Sequence, residues 1–487
     1  MIKRFKILNI TLTIIAITCT IVFSGCKKWL DIAPIDKVPQ TVLFSSQQGM
    51  KDALTGVYLN LDRSSTSGLS NGLYTNDMTI GILSILSYSF DNGSTAGLGS
   101  IYNDAASYGY QNLSLKPEIA AMWKTFYYNI ANLNNILSQI DAKKDIFTDD
   151  NYYRVKGEAL ALRAFMHLDI IRLWGQAPLT GGDSLAIPYV TKYGITNTPR
   201  STVNQALDLC ISDLREAKKL LAQTDISQLY SANTDVFKAY TQNHCNYWAV
   251  QALMARAFLY RGNVDSAAYY ANTLINTGKF PLITTNVAAA ANTMRDRLFS
   301  QELIFSLYAQ NLKTINNTAF NSSKSLLLSA AGLKRVYETP VADKVDWRRT
   351  SWFDLNTSSA TVLSKFFQDA NLKYDWQNIM PLIRVSEMYY IASETANTKG
   401  DVSGGIGYIN KVRAARGLGA VNTTITSDSL SRLIRGEYQK EFIGEGQLFF
   451  YYKRLTPNQA PTGYPLSIPA NAYVFPLPDD QLEYGSK

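Results

Sequence analysis

The stretch "QALMARAFLYRGNVDSAAYYANTLINTGKFPL" constrains the fold more tightly than any other part of the 487-residue chain. Small Ala255 precedes Phe258, a Gly262-Asn263 pair interrupts the helical pattern, and Ala267 and Leu274 follow beyond it. A small residue, an aromatic, a Gly-polar turn and a second small residue let two antiparallel helices pack closely, which is the tetratricopeptide spacing. The glycine accepts the positive φ that ends the first helix, and the asparagine caps the second. The pattern returns, 138 residues on, in "EMYYIASETANTKGDVSGGIGYINKVRAARG", where Ser393, Ala396, Gly400, Asp401, Gly405 and Val412 hold the corresponding places. Helical hairpins are therefore predicted at about 246–278 and 384–416, in a mostly α fold.

Other helices follow from periodicity. In "SSQQGMKDALTGVYLNLDR", Met50, Ala53, Leu54, Val57 and Leu61 share one face. "PEIAAMWKTFYYNIANLNNILSQI" opens with Pro117 in a first-turn position, and "YRVKGEALALRAFMHLDIIRLWG" is apolar almost all round, which predicts burial among other helices. Two stretches lack periodicity. Residues 64–114 form a polar, Gly/Ser-rich tract that keeps Tyr74, Tyr88, Tyr102, Tyr108 and Tyr110, read as an ordered loop region. Residues 280–376 form a loop-rich insertion with β-like pieces such as "ELIFSLY" and "SKSLLLSA". Loops on a rigid scaffold are where binding residues concentrate, so both stretches are expected on the ligand side.

The N-terminus carries a targeting signature. Lys3, Arg4 and Lys6 precede an uncharged run from Ile7 to Phe23, and Ser24 and Gly25 lead into Cys26. The run holds 17 residues and includes Asn9 and five threonines or cysteines, whereas a spanning helix needs about 20 mostly apolar ones. Residues 1–25 are read as a lipoprotein signal peptide and Cys26 as the lipidated first residue of a mature chain over 26–487. A diacylglycerol thioether with an N-acyl chain buries enough CH₂ groups to hold the protein to a membrane.

Composition excludes several classes. Loss of residues 1–25 lowers the formal charge from +8 to +5, and no element gathers Lys and Arg into a stripe, so nucleic acid is not an expected partner. Cys210 and Cys245 have no metal-like spacing; export permits a disulfide between them, while their apolar helical settings favour buried free thiols. The two histidines, His167 and His244, lack ligand-spaced partners, and no zinc, CxxC or phosphate-loop motif occurs. "GLSNG" satisfies G-x-S-x-G at Gly68, Ser70 and Gly72, but a nucleophile elbow needs a strand before it and a helix after it, and this one sits in the polar tract. No catalytic residue, metal or cofactor is assigned.

The aromatic residues point to binding. The chain holds 30 Tyr, 20 Phe and 7 Trp with only 18% charged residues, more rings than a core of ordinary composition uses. Sugar C–H faces pack on flat aromatic faces beside hydrogen-bonding neighbours. "DKVDWRRTSWFD" sets Trp347 and Trp352 among Asp346, Arg348 and Arg349, and "KYDWQN" sets Trp376 beside Asn378. Tyr74, Tyr102 and Tyr108 in the early tract complete the candidate ligand set. Any single ring is more often a plug between loop and helix; the grouping is what points to a ligand.

Taken in order, the landmarks resemble the SusD/RagB family of nutrient-uptake outer-membrane lipoproteins. The resemblance begins at Cys26 with Trp29, Leu30, Asp31 and Pro34, and continues through "MWKTFYYNIANLNNIL" and "RAFMHLDIIRLWGQAPL". It then takes in both hairpins, "PLIRVSEMYYIASETANTKGD", "EYQKEFIGEGQLFFYYKR" and the terminal "VFPLPDDQLEY". Glu437 to Arg454 reads as one helix, with Gly444, Leu448 and Tyr451 departing from the residues usual there, and Lys27 and Lys28 stand where many relatives carry acidic residues. The resemblance implies a helical fold on tetratricopeptide-like hairpins and no enzymatic activity. It also implies capture of an oligosaccharide, or sometimes a peptide, for delivery to a SusC-like TonB-dependent outer-membrane transporter, by a protein lipid-anchored at the outer membrane and facing the cell exterior.

Overall fold

The computed structural model describes residues 39–485, apart from 64–66, 92–99, 196, 228, 230–232, 234, 284–294, 321–325, 338–344, 357–358, 370, 374–375, 457 and 465–466. The signal segment, Cys26, Trp29 and Pro34 lie outside the described residues.

Ten helices carry the scaffold: α1 Gln47–Asp62, α2 Leu115–Ile140, α3 Asn151–Trp174, α4 Val203–Leu221, α5 Tyr247–Arg261, α6 Val264–Asn276, α7 Val385–Thr398, α8 Val402–Ala415, α9 Ser427–Glu441 and α10 Gln447–Leu455. From α2 to α8 each helix packs on the next, so the chain builds a continuous row of helices. The expected face of α1 is buried at Met50, Leu54, Val57 and Leu61, and Ser46 caps its start by accepting from the Gly49 amide. Helix α3, apolar all round in sequence, is buried over nearly its whole length. Each fully buried Leu, Ile or Phe in it contributes about 1.5–3 kcal/mol.

Both predicted hairpins form as the spacing requires. Gly262 takes φ 86° and Asn263 accepts from the Ser266 amide; in the second hairpin Gly400 takes φ 84° and Asp401 accepts from the Gly404 amide. Gly405 permits the close approach of α7 and α8, since a Cβ there would lie 3.0 Å from the Ser393 carbonyl. The two hairpins stack through α6 and α7, although about a hundred residues separate them, and Tyr408 donates to Asn272 across them at 2.7 Å.

Among the described residues three short antiparallel pairs decorate the row: β1 Leu185–Pro188 with β2 Arg200–Thr202, β3 Leu303–Tyr308 with β6 Ile379–Arg384, and β4 Phe353–Leu355 with β5 Thr361–Leu363. "ELIFSLY" is thus a strand, and its partner β6 is a strand hidden in "IMPLIR", directly ahead of the second hairpin. Pairing β3 with β6 clamps the insertion at both ends.

Two expectations are corrected. Most described residues of the early tract are core: Leu73, Ile80, Ile82, Leu83 and Leu86 are fully buried, and Leu73–Asp77 and Ile82–Leu86 are helical turns. Aliphatic residues scattered without period were read as loop, yet they fill a hollow between α1, α2 and α10. The single helix over Glu437 to Arg454 is broken between Glu441 and Gln447, because Gly444 and Gly446 take φ 75° and 70°. A Cβ on Gly446 would stand 1.9 Å from the Met78 carbonyl oxygen, so the break exists to let α10 dock on the early tract. Cys210 and Cys245 are buried free thiols, the second of the two sequence readings.

Candidate functional site

A groove of about 840 Å³ runs along the outer face of α2. Trp123, Lys124, Tyr127 and Tyr128 form its floor, Pro188, Val190, Ile195, Asn197 and Thr198 one wall, and Pro478, Asp480, Gln481 and Tyr484 the other. These α2 residues line one side because 123, 124, 127 and 128 recur at helical spacing. Helix α2 has apolar residues over more than half its circumference; part of that surface packs on α3, and this remainder is left to the groove.

The first wall is held from below. His167 Nε2 accepts from the Val190 amide at 3.0 Å, so Nδ1 carries the proton and donates to the Arg163 carbonyl at 2.9 Å. Its ring stacks on Tyr189 at 3.9 Å, and burial lowers its pKa to about 3, which fixes a neutral, packing histidine. Asn134 donates to the Val190 carbonyl, and Tyr127 to the Pro188 carbonyl at 2.8 Å. Trp123 stands edge-on to Trp174 at 5.0 Å and beside Tyr127 at 4.8 Å.

The second wall is held lightly. Trp174 Nε1 donates to the Pro476 carbonyl at 3.0 Å, and beyond that point the short helix Asp479–Tyr484 has no buried residue. Two exposed ion pairs, Lys116–Asp479 at 2.8 Å and Lys124–Asp480 at 3.3 Å, attach it to α2; such pairs contribute about 0–1 kcal/mol each. Tyr128 is 40% exposed and Tyr484 77%, so the groove offers a free aromatic face on each side. The lining is mostly apolar with a few polar groups at the rim, which suits a ligand with C–H faces and hydroxyl edges.

The residues expected from sequence lie elsewhere and do not come together as one site. Tyr74 is buried against Phe165 at 4.9 Å and donates to Asp169 at 2.6 Å. Tyr108 is buried and donates to the Leu86 carbonyl at 2.7 Å. Trp352 is fully buried: its indole donates to the Arg297 carbonyl, and Lys365 Nζ sits 3.9 Å above its ring. These three have no free face for a sugar, because each plugs a loop onto the core. Tyr102 is half-buried and donates to Asn76. Trp347 is half-buried against Gly417, whose missing Cβ makes room for the indole. Trp376 is half-buried, donating to Ser300 Oγ at 3.2 Å. The charged neighbours of Trp347 serve the core too: Arg348 is fully buried between Asp346, Glu437 and Glu441.

Ser70 is buried; its hydroxyl donates to Asp77, and the next element is a π-type turn, so the strand-turn-helix geometry of a nucleophile elbow is not formed. Asp77 is a buried carboxyl raised by burial and by the Glu118 charge beside it, a pairing between residues 41 positions apart that no local pattern signals. Among the described residues no three His, Cys, Asp or Glu side chains gather as metal ligands would. Among the same residues no helix is long and apolar enough to cross a membrane.

Stacked helix hairpins with an aromatic groove on one flank define a tetratricopeptide-like helical scaffold. A family described as starch-binding and associating with the outer membrane matches residues 28–259, and the SusD family matches residues 353–480. The chain belongs to the SusD/RagB family. It is similar to two SusD-like proteins of Formosa agariphila. One is 24% identical over 91% of this chain and 90% of the relative, the other 21% over 80% and 78%. Its fold is shared with a SusD-like carbohydrate binding protein from Bacteroides vulgatus, at TM-score 0.67 and 20% identity over 90% of this chain and 96% of that one. A SusD superfamily protein from Bacteroides thetaiotaomicron gives TM-score 0.67 and 21% identity over 90% and 98%.

Proposed function

We propose that this protein binds an oligosaccharide without transforming it and delivers it to a SusC-like TonB-dependent transporter in the outer membrane. In this reading residues 1–25 are a removed signal peptide, and residues 26–487 are held to the membrane through lipidated Cys26 and face the cell exterior. The observation that carries the binding role is the groove along α2, with Tyr128 of its floor and Tyr484 of its second wall presenting exposed rings beside Trp123 and Tyr127. Family membership and the carbohydrate-binding description of the Bacteroides vulgatus structure support a glycan as the occupant.

A peptide is the second reading. Leu69, Pro188, Val190 and Ile195 give the groove aliphatic surface that side chains fill as readily as sugar faces do. Calorimetric titration of the purified protein with a panel of neutral glycans and of peptides separates the two. Glycan binding weakened by Tyr128→Ala and Tyr484→Ala supports the first reading; binding of peptides alone replaces it with the second, and silence across both panels overturns both. The anchor is tested separately: Cys26→Ala releases the protein from membranes if Cys26 holds the lipid.

A further inference from the structure

The groove along α2 has two charged side chains among its described lining residues, and they are of opposite sign. Lys124 comes from the floor and Asp480 from the second wall, with Nζ and Oδ2 3.3 Å apart. Their side chains are 50% and 69% exposed, so both face water and any ligand that displaces it. The rest of the lining is apolar, aromatic, or a neutral amide or hydroxyl.

The surroundings of this pair are lopsided in charge. The segment from Pro476 to Gly485 carries three carboxylates, Asp479, Asp480 and Glu483, and no cation. Helix α2 offers two lysines, and each already holds one of these groups: Lys116 takes Asp479 at 2.8 Å and Lys124 takes Asp480. Glu118, the remaining charge on α2, lies beside Asp77. The third carboxylate, Glu483, is unmatched by α2 and stands beside the Tyr484 hydroxyl, at the ring that the second wall presents. This flank of the groove is therefore short of one positive charge, although the chain as a whole carries a positive net charge.

We propose that Lys124 and Asp480 make the groove selective for an uncharged sugar over a sugar acid, an inference that rests on the glycan reading of the groove. A neutral ring seated beside Tyr128 or Tyr484 donates a hydroxyl to Asp480 and accepts from Lys124, and hydrogen bonds to charged groups are the stronger kind. A sugar acid brings another carboxylate to the same place. Lys124 pairs with it only by giving up Asp480, and Asp480 and Glu483 then repel it at short range. The selectivity comes from the penalty on the wrong ligand as much as from the contacts to the right one.

Calorimetry on the purified protein tests this with malto-, cello-, laminari- and mannohexaose, each against its own C6-oxidised derivative, in which primary alcohols have become carboxylates. At low salt a neutral parent is expected to bind about fivefold tighter than its acid, and the gap should close at high salt, where exposed charges are screened. Asp480→Asn should narrow or reverse the gap, because Lys124 is then free to take the acid; Lys124→Met should widen it. Both substitutions break the same ion pair, so a merely structural role would shift the two variants in the same direction. An oxidised form that binds as tightly as its parent, a gap that salt does not move, or equal shifts in the two variants overturns the proposal while leaving the glycan reading standing. Silence across the whole panel overturns the glycan reading and this inference with it.

Discussion

Arg416 meets Glu302 edge to edge: Nη1 and Nη2 each donate to one carboxylate oxygen at 2.7 Å, with both side chains fully buried. The same guanidinium bonds Glu441, which also takes Arg348 at 2.9 Å and Arg384. These five residues sit just before β3, in the short helix Trp347–Ser351, at the end of β6, just beyond α8 and at the end of α9. One buried ion network therefore fastens the insertion to the second hairpin and to the C-terminal helices.

Removing one partner from such a network leaves an uncompensated buried charge. Glu302→Gln is expected to cost about 3–5 kcal/mol in urea unfolding, because Arg416 then faces Glu441 alone. The double replacement Glu302→Leu, Arg416→Met should cost less than the sum of the single changes, and a double-mutant cycle reads the difference directly.

The break before α10 gives a second test. At Gly262 a Cβ would meet nothing within 4 Å, so Gly262→Ala bears only the strain of a left-handed residue, about 1–2 kcal/mol. Gly446→Ala adds a collision with the Met78 carbonyl and should cost about 3 kcal/mol or more. Equal losses in the two variants would show that the close approach of α10 to the early tract is not rigid.

Acid should unfold the protein in two overlapping windows. Burial puts His167 at about 3 in the fold, below the ordinary value of 6.5, so the unfolded chain binds the extra proton and stability falls as pH drops from 6.5 towards 3. For Glu437, burial alone raises the carboxyl, but Arg348, Lys440 and Arg413 outweigh it and hold the group at about 2. Its contribution is complete above 4.5 and lost as pH falls through 2. Urea midpoints measured between pH 7 and 3 should decline throughout, and Glu437→Gln should flatten the lower part of the curve while lowering the plateau.

At the groove, stability and binding should separate. Tyr128→Ala and Tyr484→Ala are each expected to weaken ligand binding by about 0.5–1.5 kcal/mol with the melting temperature unchanged, since both rings are exposed. Trp352→Ala should do the reverse, costing about 3–5 kcal/mol of stability, because its ring lies in the core beneath Lys365.

The hairpins were legible because their signal is local: a glycine that must turn and a small residue that must let a neighbour in lie within one stretch of sequence, and both Gly262 and Gly400 behave as read. The groove was not. Tyr128 stood in plain view on α2, but what turns its exposed ring into one side of a groove is the wall brought by Tyr484, more than 350 residues on. Nothing local distinguishes a ring that will be covered from one that will not. Trp352 shows the opposite failure. Its charged neighbours looked like hydrogen-bonding partners at a surface, whereas Arg348 finds Glu437 and Glu441 across the fold and draws the whole segment inward.

The C-terminal stretch that leads into the groove's second wall also closes the molecule. Tyr464 donates to the Ala106 carbonyl across 358 positions, the Phe475 amide donates to Leu173, and Tyr110 bonds the Ala472 carbonyl. Contacts of such reach set the order of assembly. The packing around Ala106 and Tyr110 is complete only once the last few dozen residues have arrived. A chain interrupted before them would keep its helix hairpins yet leave the aliphatic side chains around Ile82 open to water and to proteases.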